Sequence, residues 1–162
     1  MASDVVLRDV VDADLPIFFE HQRDPAANRM AAFTAKDPDD RAAFDAKWAK
    51  NRADATTTNK TILYEGQVAG YIASFMSSRT NKLEVCYWVG KEYWSQGIAT
   101  KALAAFLQIV TTRPIYAGAA KDNVASIRVL EKCSFAICRH DRGFANARGE
   151  EIDEVLMELR QS

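Results

Sequence analysis

The apolar positions follow two periods in turn, one of strands and one of helices. Val5, Val6 and Leu7 form a short run that ends near Asp9 and reads as a strand. Asp12 and Asp14 then favour a helix start through its N-terminal dipole, and Leu15, Phe18 and Phe19 give that helix its buried face. Pro25 closes the region. Asp37-Pro38 predicts a second helix, a cap followed by proline at the first helical position, with Phe44 and Trp48 on one face. Between the two, Asn28 to Thr34 reads as a connection too apolar for a plain solvent loop: its Met30 and Phe33 either line a pocket, together with Arg29, or plug the core edge.

Lys60 to Tyr64 and Val68 to Ser77 are β-branched or aromatic runs joined by Glu65-Gly66-Gln67, a hairpin signal, and Leu83 to Val89 is a further strand. The strongest helical period follows at Leu103, Phe106, Leu107 and Val110, with Pro114 as its stop. Ile115 to Ala119 reads as a short buried strand, Asn123 to Lys132 as a helix, and Phe135 to His140 with Val155 to Leu159 as a closing strand pair. Arg142 to Glu150, with two glycines, is expected to be a mobile surface turn. No repeat, low-complexity stretch or linker divides the 162 residues, so one mixed α/β domain spanning 1–162 is expected.

Composition changes this picture mainly by exclusion. Apolar residues at 48% and charged residues at 27% suit a chain that folds unaided. A net charge of -1 gives no basic stripe for nucleic acid. No apolar stretch approaches the roughly eighteen residues that span a bilayer, and Met1-Ala2-Ser3-Asp4 carries no export pattern, so a cytoplasmic location without membrane attachment is expected. Cys86, Cys133 and Cys138 form no Cys-x-x-Cys pair and read as reduced thiols, while His21 and His140 have no metal-like neighbours, so no metal is expected.

Candidate chemistry concentrates between Leu83 and Leu107, where a strand, a small-residue loop and an amphipathic helix follow one another. Backbone N-H groups at a helix N-terminus point outward beside a partial positive charge, and Gly97 and Ala99 let an anion approach the main chain, so the loop Trp94-Ser95-Gln96-Gly97-Ile98-Ala99-Thr100 is a pyrophosphate candidate. Many helices begin near a glycine and bind nothing, so the loop alone does not decide. It resembles the acyl-CoA signature of the GNAT superfamily, in which Gln or Arg is followed by two residues, Gly, one residue, and Gly or Ala; Gly97 and Ala99 match, and Trp94 stands at the leading position. Glu84, Tyr87-Trp88 and Tyr93-Trp94 look like the branch of ribosomal-protein N-terminal acetyltransferases, where an aromatic residue at that position is usual. Asn123, Ser126, Val129-Leu130-Glu131-Lys132 and Phe135 are similar to the family pattern Asn-x-x-Ser-x-x-x-Leu-Glu-Lys-x-Gly-Phe, with Ser134 replacing the glycine at a small C-cap cost.

The resemblance covers almost the whole chain. It implies a central, twisted, mostly antiparallel sheet of about six to seven strands, flanked by about four helices and splayed between its fourth and fifth strands. It also implies an acyl-CoA-dependent N-acyltransferase, with acetyl-CoA as co-substrate and direct attack of a primary amine in a ternary complex. Tyr87, Trp88, Val89, the loop from Trp94 to Thr100, Asn123 and Ser126 would hold the cofactor; a backbone N-H near Trp88 and Val89 would face the oxyanion. Glu84 is the candidate base by the same resemblance, or else a surface carboxylate paired with Lys82 or Arg79. Leu130 stands where the family's acidic tyrosine is usual, leaving Ser126, Cys133, Tyr116 or a water to protonate the thiolate. Tyr87, Trp88 and Trp94 could equally be core. The acceptor stays open among a protein N-terminus, an amino acid, a polyamine and an antibiotic amine, and a homodimer is common in the family. Two other readings remain, a non-catalytic acyl-CoA sensor and a nucleotide- or phosphate-binding domain; the latter lacks the Gly-Lys-Ser/Thr or triple-glycine signatures.

Overall fold

In the computed structural model, which describes residues 4–161, the order is β1 (Val5–Asp9), α1 (Leu15–Arg23), α2 (Pro25–Ala31), α3 (Arg41–Ala53), β2 (Thr58–Tyr64), β3 (Gln67–Met76), β4 (Leu83–Val89), α4 (Ile98–Ile109), β5 (Ile115–Ala120), α5 (Val124–Lys132), β6 (Ala136–Ala145) and β7 (Glu150–Leu159). The strands form one sheet in the order β1-β2-β3-β4-β5-β7-β6. Neighbours are antiparallel except β4 and β5, which run parallel and share the single register pair Glu84↔Tyr116 before they part. This is the expected mixed α/β fold with its splay between the fourth and fifth strands.

Alternation along each strand separates two cores. On one face, Ile98, Ala102, Leu103, Phe106 and Leu107 of α4 pack on Ile72, Val85, Ile115, Ala117, Val155 and Met157. On the other, Phe18 and Phe19 of α1 meet Phe44 and Trp48 of α3, over Tyr71 of β3. Ring centroids there lie 5.2 Å apart for Phe18 and Trp48 and 5.0 Å for Trp48 and Tyr71. Each such pair adds about 0.5–1.5 kcal/mol beyond its area burial. Period two therefore turns Val85, Tyr87 and Val89 toward α4, and Glu84, Cys86 and Trp88 away from it.

Several boundaries depart from expectation. The described residues carry five α-helices, because Asn28 to Ala31, expected as a connection, belongs to α2. Asp24 caps that helix by accepting from Ala27 N at 2.8 Å, and Pro25 opens it at N1. Asp37-Pro38 makes a turn, closed by Asp40 N donating to Asp37 O at 3.1 Å, and Asp40 caps α3. α4 stops at Ile109 with Val110 as its C-cap, five residues before the expected stop at Pro114. β6 runs through Arg142 to Ala145, so the expected loop from Arg142 shrinks to the turn at 146–149. Ser134 takes the left-handed φ of 74° that the absent glycine would adopt, at a cost of about 1 kcal/mol.

Asp14 anchors the start of α1. Its carboxylate is buried and accepts from Arg8 Nη1 (2.7 Å) and Nη2 (2.9 Å), Val11 N (3.0 Å) and Thr61 Oγ1 (2.7 Å). Burial alone would push this acid up, but the bonds from Arg8, Val11 and Thr61 outweigh it and hold it below the usual carboxylate range. A depressed folded-state pKa contributes stability above the unfolded value near about 4 that is lost as pH falls toward the folded value. Asp14→Asn is expected to cost about 2 kcal/mol at pH 7 and to flatten the loss of stability below about pH 4. Urea midpoints of both proteins across that range check the two effects. Among the described residues, no helix is long and apolar enough to cross a membrane.

Candidate active site

Where β4 and β5 part, a cleft of about 480 Å³ opens between β4, the N-terminus of α4, α2 and α5. Gly97 ends the loop with φ 75° and ψ 11°, a left-handed conformation that turns the chain into α4. Among the described residues, no side chain caps this N-terminus and no acidic residue lies in its first turn, whereas α2, α3 and α5 are capped by Asp24, Asp40 and Asn123. The open N-H groups of Ile98, Ala99 and Thr100 therefore face a cleft able to supply the acceptor they lack. A Cβ on Gly97 would meet nothing within 4 Å, so an anion has room to reach the main chain.

The structure brings eleven of the thirteen sequence candidates to this cleft: Tyr87, Trp88, Val89, Trp94, Ser95, Gly97, Ile98, Ala99, Thr100, Asn123 and Ser126. Gln96 is exposed and lies outside the lining. Trp94 donates from Nε1 to Val89 O at 2.9 Å, which pins the loop to the end of β4. Asn123 accepts from Ser126 N at 3.2 Å and donates to Met30 O at 3.3 Å, joining α5 to α2. Sequence reasoning missed Ala125, Arg128, Val129 and Lys132, which share one face of α5 at helical spacing and turn two cations toward the cleft. That spacing, read together with Ser126, was the available signal.

Glu84, the other candidate outside the lining, sits on the opposite face of β4. Its carboxylate accepts from Thr80 Oγ1 at 2.9 Å and lies 3.5 Å from Arg79 Nη2. Arg79 also donates from Nη1 to Glu154 Oε1 of β7 at 2.6 Å. The pairing with Arg79 that sequence allowed is thus present, but the carboxylate is buried, with 7% of its side chain exposed. Of the groups weighed as proton donors, Ser126 alone lines the cleft, with Oγ 2.9 Å from Tyr87 OH. Tyr116 is buried on the far face of β5, and burial pushes up the phenol of Tyr116 and the thiol of Cys133. Leu130 is buried in the core beneath α5.

Met30, left open between pocket and core edge, lines the cleft with Ala27 and Ala31. A clasp holds this wall from outside: Arg148, in the β6–β7 turn, donates from Nε to Arg29 O (2.8 Å) and bidentately to Asp122 (2.8 and 3.0 Å), while Ala147 N donates to Ala32 O (3.2 Å) and Asn146 Nδ2 to Thr34 O (2.7 Å). Among the described residues, no cluster of three or more His, Cys, Asp or Glu could hold a metal ion.

A family model described as an acetyltransferase (GNAT) domain matches residues 4–136. The chain belongs to this GNAT acetyltransferase family. No curated protein matches it by sequence. Among solved structures, it is similar to RimJ of Mycobacterium smegmatis in complex with CoA-disulfide, at 22% identity over 98% of this chain and 83% of that one, with a TM-score of 0.80. It is similar to the ribosomal-protein-alanine N-acetyltransferase of Brucella melitensis, at 24% identity over 96% and 99% of the two chains and a TM-score of 0.76. It is also similar to the spermidine N-acetyltransferase of Vibrio cholerae in complex with CoA and spermine, at 16% identity over 97% and 95% and a TM-score of 0.80. At these identities the structures establish a shared GNAT fold, and the family match indicates an acetyltransferase.

Proposed function

We propose that this GNAT protein transfers the acetyl group of acetyl-CoA to a primary amine, either a peptide N-terminus or a small molecule, by direct attack in a ternary complex. The observation that carries this reading is the uncapped N-terminus of α4, opening on a cleft where β4 and β5 part. The N-H groups of Ile98, Ala99 and Thr100 would hold the pyrophosphate, and Arg128 and Lys132 would add positive charge. Beyond Glu84, β4 has no register partner in β5, so its backbone could pair with the pantetheine arm and present one N-H to the oxyanion. An acceptor amine with a solution pKa of about 8–10 must lose a proton before it attacks. Glu84 would take it through a water, because its carboxylate stands outside the cleft lining.

That placement also favours a second reading, a GNAT fold that binds acyl-CoA as a sensor without turnover. Thermal midpoints with acetyl-CoA, CoA and ATP test the shared premise. A ligand at 100 times its dissociation constant adds about 2.7 kcal/mol, which for a domain of this size raises the midpoint by about 5–10 °C. A rise with both CoA forms and none with ATP supports the binding reading; no rise with either CoA form overturns it. An amine screen for CoA release then separates enzyme from sensor. With a working acceptor, Glu84→Gln is expected to slow turnover more than tenfold and to weaken its dependence on alkaline pH; a wild-type rate and profile remove Glu84 from the mechanism.

A further inference from the structure

A thioester transfer leaves a thiolate that must be protonated or hydrogen-bonded before it departs, and the donor must stand where β4 and β5 part. Ser95 and Thr100 belong to the loop and first turn of α4, at the pyrophosphate end. Tyr87 points from β4 toward α4 and α5, lines the cleft, and meets Ser126 there, OH to Oγ at 2.9 Å and OH to the Ser126 carbonyl at 3.4 Å. The phenol and hydroxyl thus form a two-membered chain between the β4 main chain, which would hold the acyl carbonyl, and the N-terminal turn of α5.

We infer that Tyr87, with Ser126 behind it, is the proton donor to the departing CoA sulfur. The inference rests on the transfer reading above and assigns the residue that completes it. As the amine nitrogen bonds to the acyl carbon, the C-S bond breaks and its electron pair stays on sulfur. The Tyr87 O-H proton passes to sulfur, and the phenoxide regains a proton from solvent through the Ser126 hydroxyl. The proton lost by the amine leaves by way of Glu84 or water, so the exchange balances without another reactant.

Burial supports the role: it pushes the Tyr87 phenol up to about 12, so the donor is protonated at neutral pH.

Two measurements on the full chain test the inference. Calorimetry with CoA and desulfo-CoA at about pH 9 needs no acceptor. The wild type is expected to bind CoA about fivefold tighter, through a hydrogen bond to sulfur, and Tyr87→Phe to lose that preference while desulfo-CoA affinity stays within about twofold. Kinetics with an acceptor are expected to show kcat lowered at least about tenfold in Tyr87→Phe with an unchanged KM for acetyl-CoA, and a smaller loss in Ser126→Ala. Should Tyr87→Phe lose its fold, 3,5-difluorotyrosine at position 87 keeps the shape and is expected to move the alkaline limb of kcat to lower pH. A preference for CoA over desulfo-CoA that survives in Tyr87→Phe, or an alkaline limb that ignores the fluorinated side chain, overturns the inference with CoA binding intact. Absence of CoA binding in the wild type overturns instead the reading on which it rests.

Discussion

Gly97→Glu is expected to weaken acetyl-CoA binding about a thousandfold while leaving the melting midpoint within a few degrees of wild type. The binding loss follows from charge. A carboxylate about 4 Å from a pyrophosphate meets like charge at a partly exposed site, where one pair of unit charges repels by about 4 kcal/mol, equivalent to about three powers of ten. Two effects on stability oppose each other. A side chain at φ 75° costs about 1–2 kcal/mol, but an acid at an uncapped helix N-terminus returns about 0.3–1 kcal/mol, and nothing within 4 Å of the new Cβ obstructs it. Gly97→Ala carries the strain without the charge, so it should melt lower than Gly97→Glu and bind acetyl-CoA within about tenfold of wild type. Calorimetric titration of the three proteins separates the terms. Equal affinities for acetyl-CoA in wild type and Gly97→Glu would remove the loop from the cofactor site.

Gly97 also shows what the sequence could say. A left-handed glycine followed by Leu103, Phe106 and Leu107 at helical spacing is local information, and the structure places loop, helix and most of the candidates around one cleft. Local signals failed where two residues competed for one role. Asp24-Pro25 and Asp37-Pro38 are both cap-then-proline pairs, yet Asp24 caps a helix whereas Asp37 makes a turn and leaves the capping of α3 to Asp40. α2 is a seven-residue, alanine-rich helix without a long apolar stripe, and it is held by Arg148 and Asn123 from far along the chain, so periodicity had little to register. Glu84 and Tyr87 stand an odd number of positions apart on one strand, which puts them on opposite faces; Glu84 lies where β4 still pairs with β5 and Trp88 lines the cleft beyond that point, so the division depends on where the strands part, and that is tertiary. The carboxylate that pairs with Glu84's neighbour Arg79, that of Glu154, lies 75 positions away and could not be matched to it from sequence.

Arg79→Met is expected to destabilise the protein by about 3 kcal/mol, which lowers the melting midpoint by roughly 6–12 °C. Glu84 and Glu154 expose 7% and 8% of their side chains, and one guanidinium, itself 44% exposed, lies against both. Methionine replaces the length of the side chain but leaves two nearly buried carboxylates facing each other without a cation, the arrangement in which breaking a buried pair costs most. The half-exposed head keeps the figure at the lower end of the usual range. Gly118 of β5 makes the contact possible, since a Cβ there would stand 2.9 Å from Glu154 Oε2 and 3.1 Å from Arg79 Nη2. The guanidinium thus links β4 to β7 across β5, on the sheet face away from α4, where the Glu84↔Tyr116 pair is the last register contact before the strands part. If the cost arises from uncompensated charge and not from lost packing, adding Glu154→Gln to Arg79→Met should recover a large part of it, because the amide needs no counter-ion. Denaturant midpoints of the single and double variants decide the matter: recovery assigns the loss to charge, and additive losses assign it to the shape of the contact.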